Sequence, residues 1–282
     1  MRPLALVLLL LVGCTQRVVA APTAGQGAED EGDDAPASTS SSGGDDDTSS
    51  SAGGIDPTAP GPVELDTIYV NSGDTLFTFV PQTNTFTRVG PFVLEDGSAA
   101  SVTDIAIDRL GLLYAVSEGT LYRCDPNTVV CDPIGASSAN SAGFAEFGAL
   151  SPTDDVLILV EDSDVVHVVV HEDSIDVIRV GTLEGYSSSG DVMPLGGTLM
   201  LLSSPTPGDA DVLVAFDASN AQVVGELAEL PPLTYGLAGF GGEVWGFTDR
   251  GQIVHVDDSG QAVEVGRTDA RLWGAATHPD SR

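Results

Sequence analysis

The chain has no lysine. All ten of its basic residues are arginine, against 42 acidic ones, and the formal net charge is −32. That balance argues against nucleic acid as a partner and against electrostatic docking on anionic lipid. It suits solubility, or a salty medium in which self-repulsion is screened. Long apolar runs are missing too. The longest, Leu4 to Val12, is about nine residues, against the roughly 18 needed to span a bilayer. No stretch sustains a 3.6-residue apolar period, so helix is expected to be nearly absent. Cysteines number three and tryptophans two. The first count is too small for a disulfide-built scaffold; the second is thin for a tryptophan-lined sugar groove.

What is present begins with "MRPLALVLLLLVGCTQ". Arg2 and the short apolar run have the layout of a signal peptide, set apart from the folded part. Its end, Leu11-Val12-Gly13-Cys14, resembles the lipobox of bacterial lipoproteins. That resemblance implies cleavage after residue 13 and lipidation of Cys14, with Thr15 permitting passage to the outer membrane. Residues 14–62 then form an acidic segment rich in Ser, Gly and Asp. It lacks the large apolar residues that would offset the entropy of ordering it, so a disordered tether is expected. The "DDD" at Asp45 to Asp47 lacks the spaced ligands of a calcium loop.

Cys124 and Cys131 flank "DPNTVV", a proline turn. If Asp125 pairs with Val130, the two cysteines face each other across a hairpin at disulfide distance. Export would place them in an oxidising compartment.

Residues 63–282 are repetitive. "TIYVNSGDTLFTFVPQTNTFTRVG" aligns without a gap on "LLYAVSEGTLYRCDPNTVVCDPIG", which begins at Leu112. Each copy has three short β-rich runs separated by turns and ends in Val-Gly or Ile-Gly. The closing glycines are Gly90, Gly135, Gly181, Gly225 and Gly266. A further run of small residues precedes the three: "TDIAID" at Thr103, "FGALSP" at Phe147, "GDVMPL" at Gly190 and "YGLAGF" at Tyr235. The first copy lacks it, and the chain ends in a spare one, "WGAATHP" at Trp273. A repeat of about 40–45 residues with four strands signals a β-propeller, and the spare strand would complete the first blade and remove an open edge. The expectation is all-β: a five-bladed propeller, with six blades as the alternative if residues 182–210 are used differently. The phrase "G-x-LY…LY-x-x-DP-x-T" resembles extracytoplasmic bacterial propellers of the broad YVTN/NHL-like kind, a likeness informative about fold and nearly silent on function.

Chemistry is sparse. "GYSSSG" at Gly185 has the wrong spacing for a nucleophile elbow. His167 and His171 share a strand face but stand about 13 Å apart at ~3.3 Å per residue, too far for one zinc. "GFGG" before Glu243 has no helix after it to bind phosphate and is expected to be a tight turn. No catalytic set, metal or cofactor is expected. The one constellation with a geometric argument is the start of the inner strands, which converge on a propeller's axis. Asp104, Glu146, Phe147, Asp191, Tyr235 and Trp273 would then surround one channel mouth. Two explanations stay open: a binding site, or aromatics packing between blades with aspartates bonding backbone N–H groups of the next blade. The function expected is a lipid-anchored, monomeric binding or scaffold module of the cell envelope, for an envelope protein or glycan. The alternative is a glycosidase-like propeller using Asp104, Glu146 and Asp191 as channel acids.

Overall fold

A computed structural model describes residues 65–281 apart from 172–173, 207–209 and 258. The lipobox with Cys14 and all of the acidic segment lie outside the described residues. Three antiparallel strands open the first blade: β1 (Ile68–Asn71), β2 (Thr75–Val80) and β3 (Thr85–Pro91). A short β4 (Val93–Leu94) leads to the second blade, β5 (Asp104–Ile107), β6 (Leu113–Ser117), β7 (Thr120–Cys124) and β8 (Val130–Gly135). The third holds β9 (Ser141–Phe144), β10 (Val156–Glu161), β11 (Asp164–Val170) and β12 (Ile175–Thr182). The fourth holds β13 (Val192–Gly196), β14 (Leu199–Pro205), β15 (Asp211–Asp217) and β16 (Gln222–Leu230). The fifth holds β17 (Thr234–Phe240), β18 (Glu243–Thr248), β19 (Gln252–Val256) and β20 (Ala262–Arg267). A last strand, β21 (Gly274–Ala276), pairs with β1 and becomes the inner strand of the first blade. Thr182 ends β12 of the third blade and residues 183–206 belong to the fourth blade and its approach, so the ring has five blades rather than six.

Closure is visible at the axis and at the rim. At the axis the inner strands touch in a complete cycle, β5 with β9, β13, β17, β21 and back to β5. The seam pairs Asn71 with Gly274, Val70 with Ala275 and Tyr69 with Ala276. At the rim, every Val-Gly or Ile-Gly mark is a β-bulge on the outer strand. Val89, Ile134, Val180, Val224 and Val265 each stand unpaired just before the glycine. A bulge adds local twist, and the bare glycine lets the neighbouring blade come close. A Cβ on Gly135 would collide with Ile175 of the third blade, and one on Gly266 with Asn84 of the first. Asn84 Nδ2 also donates to the Val265 carbonyl at 3.2 Å. At Gly135, Gly181 and Gly266 the mark is therefore a joint between blades, while at Gly225 nothing lies within 4 Å of an added Cβ.

Among the described residues the only helical turn is Pro279–Ser281. Core clusters fill the gaps between adjacent blades, so that Ile105 and Leu76 share one and Phe247 and Phe79 another. Cys124 and Cys131 are directly paired across β7–β8 and joined by a disulfide, beneath the turn in which the Asp125 N–H donates to the Val130 carbonyl. Gly241 and Gly242, both at positive φ, make the two-residue turn between β17 and β18.

One inner strand differs from expectation. "FGALSP" is not the inner strand of the third blade; Ser141–Phe144 is. Residues 145–155 form a loop after it, longer than the residues 108–112 that link β5 to β6.

Candidate functional site

The inner strands all start at the same face of the ring. Two carboxylates collect backbone N–H groups from four of them. Asp104 accepts from Ile105 at 2.8 Å and from Ala142 at 2.6 Å. Asp191 accepts from Leu237 at 2.6 Å and from Ala275 at 2.9 Å, both at one oxygen. Blades two to five and the closing strand are thus tied at one point. Both aspartates are fully buried, and their carboxyls lie within hydrogen-bonding reach of each other. Burial pushes both well above the usual carboxylate range, and for Asp104 the charge on Asp191 pushes further. Below them the channel narrows to a cavity of about 30 Å³, walled by Ile105, Ala142, Val192, Leu237 and Ala275 among others. That is space for about two waters and not for a sugar.

This arrangement bears on the glycosidase alternative. An inverting pair needs roughly 6.5–9.5 Å between carboxyls and a retaining pair roughly 5–5.5 Å. Asp104 and Asp191 face each other more closely than either and are enclosed.

The six expected mouth residues separate into three places. Asp104 and Asp191 are the axial pair. Glu146 and Phe147 follow the end of β9, at the opposite face of the ring. There the Glu146 carboxylate accepts from the Gly197 N–H, and the Arg109 guanidinium stacks 4.5 Å from the centre of the exposed Phe147 ring. Arg109 also pairs with Asp155 at 3.0 Å. The expectation of one mouth fails for Glu146 and Phe147 because β9 starts earlier than "FGALSP". Tyr235 and Trp273 stand at the starting face, half-buried, beside the axis rather than on it.

Trp273 belongs to an open cleft of about 470 Å³. The β1–β2 turn supplies Ser72, Gly73 and Asp74, β2 supplies Thr75 and Phe77, and the approach to β21 supplies Arg271. The indole is fixed on two sides. Gly73 packs so close to its ring that a Cβ would clash, and Nε1 donates to Asp249 Oδ1 at 2.8 Å. The same carboxylate takes a bidentate pair of bonds from Arg271, at 2.7 and 2.8 Å. These bonds hold Asp249 below the usual range despite its partial burial. Arg271 is therefore neutralised, and its plane lies over the indole at 5.8 Å. Asp74 accepts from Ser72 and Thr75 hydroxyls. The cleft offers an aromatic surface, hydroxyls and one unpaired carboxylate. Arg271, Asp249 and the Ser72–Thr75 hydroxyls were not singled out in the sequence; no short motif marks them.

The histidines are scattered. His167 bonds the Ala218 carbonyl at 2.8 Å, His171 pairs with Asp176 at 3.0 Å, and His278 bonds the Arg109 carbonyl at 3.2 Å. Among the described residues no three His, Cys, Asp or Glu side chains are gathered as a metal set.

Geometry defines the class as a closed five-bladed β-propeller with an occluded axis. No protein-family model and no curated protein matches the chain. Solved structures do. A chain of the nidogen/laminin complex is 10% identical, with a TM-score of 0.50, over 74% of this chain and 97% of its own. The Dos1 propeller is 14% identical at a TM-score of 0.37, over 69% of this chain and 54% of its own. The N-terminal domain of Nup159 is 12% identical at a TM-score of 0.37, over 73% and 61%. At such identities the likeness concerns the fold alone.

Proposed function

We propose that the ring is a non-catalytic binding module of the cell envelope, anchored through a lipid on Cys14, that recognises a glycan or a protein surface through the Trp273 cleft. The observation that carries this is the contrast between two places on one face. The axial carboxylates are occupied with inter-blade N–H groups, while the cleft is open and lined by a braced indole, Phe77 and hydroxyl groups. Its volume falls in the range of ordinary ligand pockets, about 300–1,000 Å³. Because Arg271 is matched by Asp249 and Asp74 is not matched, a neutral ligand suits the cleft better than an anion. A sugar face on the indole with hydroxyls at the edge satisfies both features.

The experiment is a glycan array and an envelope-extract pull-down with the full chain and with Trp273→Ala and Phe77→Ala. The expected result is a binder lost or weakened about tenfold or more in both variants, an energy near 1.4 kcal/mol, with unchanged circular dichroism. Binding that survives both variants would remove the cleft from the reading. Turnover of a glycoside that is lost in Asp104→Asn would favour the enzyme alternative. Anchoring is tested separately: Cys14→Ser should abolish incorporation of labelled palmitate and release the protein from the membrane fraction.

A further inference from the structure

At the top of the axis, two buried oxygens face no hydrogen-bond donor. One is Asn71 Oδ1, the other Asp191 Oδ1. Asn71 ends β1 and is fully buried. Its amide orientation is fixed by its own bonds, because Nδ2 donates to the carbonyls of Ser72 at 2.9 Å and Val102 at 3.3 Å. Those carbonyls can only accept, so turning the amide over would set oxygen against oxygen. Oδ1 must therefore point away from them, toward Asp104. Asn71 Oδ1 and Asp104 Oδ1 both lie within 2.5 Å of the point where a Cβ on Gly274 would stand. The missing side chain lets the two oxygens come together beside Gly274. The Asp191 carboxyl lies within hydrogen-bonding reach of the Asp104 carboxyl.

Three acceptors thus converge in a buried spot. No arginine or histidine forms an ion pair with either carboxylate among the described residues. The four N–H donors bind Asp104 at both oxygens and Asp191 at Oδ2, and leave Asp191 Oδ1 and Asn71 Oδ1 unserved. A single proton on the carboxyls can serve Asp191 Oδ1 or Asn71 Oδ1 but not both. A cation serves all three.

We propose that the axis binds a hard divalent cation of the calcium class, held by Asn71 Oδ1, Asp104 Oδ1 and Asp191 Oδ1. The all-oxygen donor set selects a hard ion over zinc or copper, and two carboxylates balance two positive charges. Calcium accepts irregular shells of six to eight oxygens at about 2.3–2.6 Å, so waters and carbonyls can complete what three side chains begin. The ligands come from the first, second and fourth blades. Asn71 is also the seam residue paired with Gly274. The ion would therefore lock the ring where its two ends meet.

The test uses the full chain, purified in EDTA and desalted. Calcium content is measured by elemental analysis after equilibration and gel filtration. Thermal unfolding is followed in calcium, in magnesium and in choline chloride at matched ionic strength. The expected result is about one calcium retained per chain and a Tm rise of roughly 5–11 °C at a hundred times Kd. Asp191→Asn supplies an amide donor toward Asp104 in place of the ion. It and Asn71→Ala should lose both the retained calcium and the Tm rise. No retained calcium, with melting that follows ionic strength alone, would overturn the proposal in favour of a shared proton. Calcium retained equally in both variants would overturn it too, since the many acidic residues elsewhere would then be holding it. Should neither variant fold, an anomalous-difference map of the wild-type crystal with calcium decides: a peak among the three oxygens sustains the site, and its absence ends it.

Discussion

Gly274→Ala puts the smallest possible side chain at the seam. An added Cβ would stand 2.5 Å or less from Asn71 Oδ1 and Asp104 Oδ1 and 2.8 Å from Asp104 Cα. The last of these is backbone in the inner strand of the second blade, so no rotamer change relieves it. Ordinary contact needs about 3.5–4.0 Å, so β21 or β5 must move by about 1 Å. Overpacking of this kind costs about 1–3 kcal/mol. Asp104 also bonds the N–H groups of Ile105 and Ala142, and losing one charge-assisted bond adds about 1.5–3 kcal/mol. A loss of about 2.5–6 kcal/mol follows. For a domain of this size it lowers Tm by roughly 5–24 °C at about 2–4 °C per kcal/mol. The assay is thermal or urea unfolding beside Gly90→Ala, where the nearest atom, Val129 Cγ2, lies at an ordinary 3.5 Å. Gly90→Ala should stay within about 1 kcal/mol of wild type. If the two variants melted together, the strands would not meet at the axis as described.

Three further outcomes are expected. Replacing both Cys124 and Cys131 by Ala opens a loop with a sequence separation of 7. The chain-entropy model assigns that closure about 2.4 kcal/mol, and the two buried sulfurs add a cavity cost, so calorimetry should show a Tm lower by roughly 5–12 °C. Asp211 is raised by burial to about 6, with Thr234 N–H and Ser189 Oγ as partners. Its contribution to stability is therefore complete below the unfolded carboxylate range and lost as pH rises through about 6. Urea midpoints of Asp211→Asn compared with wild type between pH 4 and 8 should isolate that slope, and a difference that does not change with pH would count against it. Arg271→Met should free Asp249 and loosen the Trp273 indole, weakening any cleft ligand while leaving the melt within about 1 kcal/mol, because the ion pair is exposed on the arginine side.

Much of this ring is legible in the chain because its joints repeat. Each Val-Gly or Ile-Gly mark is a bulge on the outer strand of one blade, so the marks count the blades. The spare "WGAATHP" run predicts the seam because a sheet with one strand too few and a terminal strand without a sheet have one common solution. The disulfide follows from the turn between its cysteines. What misleads is the third blade. "SAGF" and "FGALSP" are both short and rich in small residues, and periodicity cannot rank runs of four and six residues. Only the long loop 145–155 separates them, so Glu146 and Phe147 are assigned to the wrong end of a strand. The cleft is less legible still. Arg271, Asp249 and Ser72 come together through the seam, from opposite ends of the folded chain. Asn71 carries no signal beyond being a polar residue at the end of a strand, and its importance lies in a register that no local pattern reveals.

The seam has one more consequence. Because the last strand lies against the first, the order in which blades follow along the polypeptide is not imposed by the ring. A gene rearranged to join the end of the fifth blade's sequel to β1 through a short linker, and to begin at the Pro81–Asn84 turn, would present the same five joints and the same axis. Such a permutant turns the seam into an ordinary hairpin and moves the break to a surface turn, where breaks are tolerated best.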